Sequence, residues 1–335
     1  MKLKNNVKKN LKRGCLLCLA LVLCMNILAG CSAKEPDKAA IRVGGLKGPT
    51  SMGLLFMKDK AESGKAVGDY AFTMVTAADE LLTMMVKGEL DIALIPANVA
   101  SVFYHKTEGR ISVIDINTLG VLYMVSGDET IETPEDLKGR TIYLTGKGTT
   151  PDYVLRYIME ENGLTDADVI LEYKSEAAEV AAILAEKPEA VGLLPQPFVT
   201  AACVQNKALD VVMDMNEQWI LQQGEDGSRM VTGVTVVRDA FLEANEDAVK
   251  VFLQEHKEST EEMNRNVEKG AKLAVNAGII AKESIALEAI PKCNITYIAG
   301  EEMKQALSGY LEVLFEQEAK AVGGMLPGDD FCYVE

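Results

Sequence analysis

The sequence has few of the side chains that most often perform catalysis or bind metal ions. Its 335 residues contain two histidines and one tryptophan, and aromatic residues make up only 6% of the chain. Beyond the first 31 residues, the three cysteines Cys203, Cys293 and Cys332 stand far apart and form no CxxC pair. Zinc sites and Cys-His nucleophiles need closer groupings. We therefore expect no metal site and no cofactor, and three buried or unreactive thiols, although one disulfide would be compatible with an oxidising compartment.

The chain also lacks the excess of positive charge that a nucleic-acid-binding protein needs. Lysine and arginine number 34 against 50 aspartates and glutamates, which gives a formal net charge of -16. An acidic surface repels phosphate backbones. We expect no nucleic acid among the partners of this protein.

No nucleotide-binding motif is complete. The turn Gly146–Thr150 (GKGTT) would need a glycine at position 141 to be a P-loop, and that position is Thr141. The same turn fails as a GxGxxG fingerprint because its last place is Pro151. Acidic residues are abundant. However, no two of the strand-to-helix turns described below each supply a carboxyl group, so no pair is placed to act as general acid and general base. An enzyme is therefore not predicted.

The first 31 residues have the three-part layout of a secretory signal. A basic segment over residues 2–13 precedes an apolar run, Cys15–Met25, that is too short to span a membrane. The run leads to Leu-Ala-Gly-Cys31, which resembles the lipobox of bacterial lipoproteins, where the cysteine becomes the lipidated first residue. We predict a signal peptide over 1–30, a tether over 31–40, and an extracytoplasmic protein anchored to the membrane through Cys31. The alternative is an uncleaved amino-terminal anchor.

From Ile41 onward, short apolar runs alternate with helical patterns in two successive series. This alternation predicts an α/β protein with largely parallel sheets. We predict two lobes, one formed by 41–125 with 230–335 and the other by 126–229, with crossings near Val125 and Met230. After Met230 the pattern becomes mainly helical and includes one helix over about Glu243–Lys269.

Five strand-to-helix turns carry small, hydroxyl or amide residues. In open α/β sheets, ligands bind beyond the carboxyl ends of the strands, where helix amino termini present unpaired N–H groups. The same residues also serve as ordinary turn formers and helix caps, and we expect Thr150 to cap a helix that begins at Pro151. The five turns contain GGLKGPTS (44–51), TAAD (76–79), IPAN (95–98), TGKGTTP (145–151) and LLPQP (193–197).

Three runs in the sequence resemble those of ABC-transporter substrate-binding proteins. They are GPTSMG (48–53), GELDIALIPAN (88–98) and TPEDLKGRTI (133–142). The resemblance covers about residues 41–330 and is greatest to the nitrate, sulfonate, taurine and thiamine-pyrimidine branch of the type 2 periplasmic-binding fold. It implies two lobes with two hinge crossings, a small-molecule ligand in the cleft between them, and delivery to an ABC permease with its ATPase. A monomer is the expected state of such a carrier.

The resemblance also implies which residues contact the ligand. Hydroxyls and helix amino termini suit an oxyanion such as a sulfonate, bound without a salt bridge. The aromatic rings of Tyr123, Tyr143, Phe198 and Trp219 would instead suit a flat heteroaromatic vitamin precursor such as a thiamine pyrimidine. A sensory or adhesion lipoprotein without a transport role is a further alternative. The predicted ligand-binding residues are Pro49, Thr50, Ser51, Ala77, Asn98, Tyr123, Gly148, Thr149, Thr150 and Gln196.

Overall fold

The computed structural model describes residues 40–224 and 227–334. The predicted signal peptide, the predicted lipidation at Cys31 and all but the last residue of the predicted tether therefore lie outside the described residues. Within the described ranges, no helix combines the length and the apolar character needed to cross a membrane.

The first sheet has six strands in the order β11-β4-β10-β3-β1-β2. Strands β2, β1 and β3 are parallel, whereas β10 and β11 run antiparallel to their neighbours. Its central strands β3, β4 and β10 are buried along nearly their whole length. The strands are β1 (Ile41–Leu46), β2 (Tyr70–Val75), β3 (Ile92–Pro96), β4 (Ile111–Leu119), β10 (Val231–Arg238) and β11 (Ile295–Ile298).

The second sheet has five strands in the order β7-β6-β8-β5-β9. Strands β7, β6 and β8 are parallel, and β5 runs antiparallel to both β8 and β9. The strands are β5 (Leu122–Ser126), β6 (Thr141–Thr145), β7 (Ile170–Lys174), β8 (Val191–Pro195) and β9 (Asp210–Asp214).

Helices fill the connections and the carboxyl-terminal part of the chain. A 3-10 helix, Pro49–Leu54, leads directly into the first α-helix. The α-helices are α1 (Leu55–Glu62), α2 (Ala78–Val86), α3 (Ala97–Lys106), α4 (Thr150–Glu161), α5 (Ala177–Glu186), α6 (Phe198–Gln205), α7 (Met215–Gln223), α8 (Asp239–Ala244), α9 (Glu246–Arg265), α10 (Val267–Asn276), α11 (Glu283–Ala289) and α12 (Gly300–Gln317).

The α/β fold class with two sheets is confirmed, but the sheets are mixed rather than largely parallel. Two of the three antiparallel strands, β5 and β10, follow the two passages of the chain between the sheets. Since β5 already pairs in the second sheet, the chain leaves the first sheet at Gly120 and Val121, a few residues before the predicted crossing at Val125. It returns between α7 and β10, close to the predicted Met230.

The prediction of one continuous helix over Glu243–Lys269 is wrong, because the segment belongs to three helices. It is divided into α8, α9 and α10 at Asn245 and Asn266, whose backbones leave the helical region. The side chain of Asn266 accepts a hydrogen bond from the Lys269 amide and so caps the next helix. Asparagine competes for backbone groups in this way and therefore favours helix ends.

The three described cysteines are free thiols. Cys293 is fully buried, and burial raises the pKa of its thiol to about 12. Because the thiolate is the reactive species, we expect Cys293 to remain unlabelled by N-ethylmaleimide in the native protein at pH 8 and to be labelled in urea. Peptide mass spectrometry measures both states, and equal labelling in the two would contradict the burial of this thiol.

Candidate ligand-binding site

The carboxyl ends of β1, β2 and β3 gather three of the predicted turns at one edge of the first sheet. Leu46 and Val75 are opposite each other in the parallel register, and each is followed by a turn and a helix start. Pro49 is the first residue of the 3-10 helix, Ala77 precedes α2, and Asn98 is the second residue of α3. The three turns therefore lie at one edge of the sheet, as expected for turns that follow parallel strands.

Thr50 and Ser51 are the most unusual polar residues at this edge. They are 6% and 0% exposed, and neither hydroxyl has a hydrogen-bond partner in the described part of the chain. A buried polar group without a partner costs about 1–3 kcal/mol, so such groups are uncommon unless they have a function. Glycines leave room for them: a Cβ on Gly45 would lie 2.5 Å from Ser51 Oγ, and one on Gly233 would lie 2.5 Å from Thr50 Cγ2.

The turn before α4 is held by its own residues. The N–H of Gly148 donates to Asp152 Oδ2 over 2.8 Å, and the hydroxyl of Thr149 donates to the Gly146 carbonyl over 2.6 Å. Gly146 has a positive φ of 75°, which favours glycine there. The predicted cap is one residue off: Thr149 is the N-cap, and Thr150 is the first helical residue. Gly148 and Thr149 are exposed, and their role in ligand binding stays a prediction.

Thr150 brings the two sheets' turns together. Its hydroxyl lies 3.4 Å from Asn98 Oδ1, the oxygen that accepts its hydrogen bond. The amide of Asn98 donates in turn to the Ala321 carbonyl over 3.5 Å. The phenol of Tyr310, on α12, is close to Thr150 but has no hydrogen-bond partner among the described residues, and burial raises its pKa. The predicted residues Asn98 and Thr150 are thus in contact, although they follow strands of different sheets.

Gln196 follows β8 at the corresponding edge of the second sheet. It is 1% exposed, its Oε1 accepts a hydrogen bond of 2.9 Å from the Thr200 hydroxyl, and its backbone N–H donates to the Val121 carbonyl. The side-chain nitrogen has no hydrogen-bond partner among the described residues. Gln196 is therefore a third predicted residue with an unpaired buried polar atom, in this case a donor group.

The aromatic side chains considered for stacking are mostly engaged elsewhere. Tyr123 is buried, and its hydroxyl donates to the Lys292 carbonyl over 2.8 Å, so it ties β5 to the segment after α11. Trp219 is 0% exposed and packs against Tyr157 and Tyr310, with ring centroids 4.7 and 5.5 Å away. The amine of Lys174 lies 5.2 Å from the centre of the Tyr143 ring. Direct ligand contact by Tyr123 stays a prediction.

Three residues near the site were not predicted from the sequence. Asn117 and Gly233 lie on the antiparallel strands β4 and β10, beside Thr50, and Tyr310 comes from α12, beside Thr150. They follow no strand-to-helix turn, and each reaches the site by pairing or packing across more than a hundred residues of sequence. Only the small residue at Gly233 within an apolar strand gives a local signal, since a strand glycine often marks a close approach.

Comparison with known proteins agrees with the geometry of the two sheets. Residues 108–269 match the model of the NMT1/THI5-like family. No curated protein matches the sequence. Among solved structures, an ABC transporter protein from Parabacteroides distasonis is 24% identical with a TM-score of 0.73, over 88% of this chain and 99% of that one.

Two sulfonate-binding proteins share the same fold. The periplasmic aliphatic sulphonate-binding protein of Escherichia coli is 16% identical with a TM-score of 0.68, over 88% of this chain and 98% of that one. The alkanesulfonate-binding protein of Xanthomonas axonopodis, solved with MOPS bound, is 14% identical with a TM-score of 0.62, over 88% of this chain and 96% of that one. The resemblance noted from the sequence is thus confirmed: residues 108–269 match the NMT1/THI5-like family model, and the chain has the fold of the ABC-transporter periplasmic binding proteins.

Proposed function

We propose that the protein is the extracytoplasmic solute-binding component of an ABC import system and that it captures a small organic sulfonate. The observation that carries the proposal is the pair of buried, unpartnered hydroxyls of Thr50 and Ser51 at the edge where three parallel strands end. A sulfonate remains ionised at physiological pH and offers three acceptor oxygens. It can therefore use neutral donors such as these hydroxyls and the Gln196 amide without a cationic partner.

The sulfonate is favoured over a heteroaromatic ligand because of where the aromatic rings lie. Trp219 is enclosed in the core, and the Tyr123 hydroxyl already donates to a carbonyl. Stacking on a flat ligand needs a ring face that is open to the site. The unpaired polar atoms found here are instead hydroxyls and an amide, which suit oxyanion recognition.

Capture would occur by closure of two lobes, each built around one sheet. The passages at Gly120–Val121 and between α7 and β10 are the proposed hinges, in the manner of other two-lobed binding proteins. Asn98 and Thr150, which already lie 3.4 Å apart, would face each other across the closing cleft. The loaded protein would dock as a monomer on a membrane permease served by an ATPase, with the lipid on Cys31 keeping it at the membrane.

A thermal-shift series with the full chain in mild detergent tests the ligand class. The single tryptophan, Trp219, is buried and reports unfolding by its fluorescence. At one hundred times its Kd, a ligand that binds only the native state adds about 2.7 kcal/mol, which corresponds to a Tm increase of about 5 °C for a protein of this size. We expect methanesulfonate or taurine to produce this shift.

Other compounds in the series separate the alternatives. Nitrate and bicarbonate test for a smaller anion, and pyrimidines and vitamins test for a heteroaromatic ligand. A shift with pyrimidines alone would contradict the sulfonate proposal but keep the binding role. No shift with any compound would contradict uptake of these solutes and favour a lipoprotein with a sensory or adhesive role.

A further inference from the structure

A row of polar side chains lies buried on one face of the first sheet, in an otherwise apolar core. Asp115 and Asn117 of β4 face Thr235 of β10, and all three are at most 1% exposed. The Thr235 hydroxyl donates to Asp115 Oδ1 over 2.8 Å, and the Asn117 amide donates to Thr235 Oγ1 over 3.2 Å. Burial of a carboxylate is costly unless it is paired and hydrogen-bonded, so this row needs a structural or functional reason.

His256 of α9 completes the row. It is fully buried, and its Nδ1 lies 3.1 Å from Asp115 Oδ2. Its other nitrogen, Nε2, and the neighbouring Thr260 hydroxyl have no hydrogen-bond partner within the described residues. The mechanism of capture proposed above makes no use of this pair, in which both side chains are 0% exposed.

Both unpaired atoms lie against the 3-10 helix that carries Thr50 and Ser51. A Cβ on Gly53 would be 2.6 Å from Thr260 Oγ1 and 3.3 Å from His256 Nε2, so α9 approaches the backbone of this helix closely. The Ser259 hydroxyl, on the same face of α9, donates to the Gly53 carbonyl and accepts a hydrogen bond of 2.9 Å from the Met57 amide. The 3-10 helix is thus fixed at its carboxyl end by polar contacts.

The amino end of the 3-10 helix meets the same row. A Cβ on Gly233 would lie 2.5 Å from Asn117 Oδ1 and 2.5 Å from Thr50 Cγ2, which places Thr50 and Asn117 side by side over β10. The polar row therefore extends beneath the 3-10 helix, from Thr50 at one end to Gly53 at the other. The hydrogen bonds that join Asn117, Thr235 and Asp115, and the bond from Ser259 to Gly53, hold β4, β10, α9 and the 3-10 helix in one arrangement.

We infer that Asp115, Thr235, His256, Ser259 and Thr260 form a polar seat that fixes the 3-10 helix and thereby positions the Thr50 and Ser51 hydroxyls for the ligand. These are positioning residues, since they act through the 3-10 helix and not on the ligand itself. The inference rests on the proposed function for its effect on affinity. The seating of the helix can be tested without any ligand.

The variant Gly53→Ala tests the inference. The added methyl group cannot remain 2.6 Å from Thr260 Oγ1, and His256 Nε2 at 3.3 Å limits the space beside it, so we expect the 3-10 helix to move away from the seat. We expect at least a tenfold increase in the Kd for taurine by calorimetry, because displacement of positioned groups by a fraction of an ångström weakens binding strongly. We also expect faster hydrogen exchange in the peptide covering 49–57 of the unliganded protein.

Removal of the crowding oxygen should reverse both effects. In Gly53→Ala/Thr260→Ala, the methyl group has room, and we expect the Kd and the exchange rate to return to within about threefold of the wild type. Gly192→Ala is the matched control, because its Cβ would lie 2.8 Å from Leu184 Cδ1, in the core of the second sheet and away from the 3-10 helix. It should lower Tm through crowding and leave the Kd unchanged.

Two results with these variants would overturn the inference. A Gly53→Ala protein that loses stability as Gly192→Ala does but binds taurine normally would overturn it, and so would a double variant that fails to recover. If Gly53→Ala does not fold, Ser259→Ala provides the same test, since it frees the Gly53 carbonyl without adding volume. If the wild type binds no ligand, the proposed function fails, whereas unchanged exchange over 49–57 would overturn the seat itself.

Discussion

Replacement of Thr50 by valine and Ser51 by alanine should weaken sulfonate binding by about a hundredfold or more and leave the unliganded protein at least as stable as the wild type. A hydrogen bond to a charged partner contributes about 1.5–3 kcal/mol, so the loss of two corresponds to at least about a hundredfold in Kd. In the unliganded protein, the two hydroxyls are buried and have no hydrogen-bond partner among residues 40–224 and 227–334. Apolar replacements of similar shape remove that cost, so Tm should stay constant or rise.

Calorimetry with taurine and thermal unfolding without ligand together test this prediction. Ser101→Ala is the control with the opposite expectation, because the buried Ser101 hydroxyl donates to the Val322 carbonyl over 2.6 Å. This variant should lose about 1 kcal/mol of stability and retain its affinity. If the Thr50/Ser51 variant behaves in the same way as Ser101→Ala, the two hydroxyls belong to the core and the site lies elsewhere.

Local patterns were sufficient to predict most of the secondary structure. The alternation predicted from Ile41 onward is found in strands such as Tyr70–Val75 and Ile92–Pro96, because apolar runs end there at clear turn signals. The break at Asn266 was missed because the apolar periodicity continues on both sides of it, and periodicity alone predicts a longer helix. The strand direction of β5 and β10 depends on pairing with distant strands, which no local pattern reports.

The residues in and beneath the candidate site could likewise be predicted only in part. Thr50, Ser51 and Asn98 were predicted because they follow parallel strands at a shared edge. The polar seat beneath them joins Asp115 to His256, 141 positions apart in sequence. Neither residue stands in a motif, and a lone histidine in an apolar helix face gives no sign of its partner. The contact appears only once β4 and α9 are packed together.

The opposite edge of the first sheet is held by one carboxylate and two arginines. Asp91 precedes β3, and its side chain is 2% exposed. Arg42, at the start of β1, donates to both carboxylate oxygens, with Nε 2.8 Å from Oδ2, and Arg238, at the end of β10, lies 2.7 Å from Oδ1. One buried carboxylate thus connects three strands of the sheet that carries Thr50 and Ser51.

Asp91→Asn should lower the free energy of unfolding by about 2–3 kcal/mol at pH 7, because loss of one partner from a buried ion pair leaves uncompensated charge. The estimate is at the low end because the Arg42 side chain is 41% exposed, so water replaces part of the lost contact. Burial opposes ionisation of Asp91, but the hydrogen bonds from Arg42 and Arg238 outweigh it and hold the pKa of this carboxyl below its usual value.

The lowered pKa fixes the sign of the pH dependence. The contribution of ionised Asp91 is fully present above the unfolded pKa of about 3.9 and is lost as the pH falls through the lower folded-state pKa. The difference between wild type and Asp91→Asn, measured by urea unfolding, should therefore be largest at neutral pH and shrink below about pH 4. Glu246→Gln, which removes the exposed partner of Lys250, should barely change stability at either pH. A difference for Asp91→Asn that stays constant from pH 7 to pH 3 would mean that the side chain stabilises the sheet through its packing, and that the charge of Asp91 contributes little.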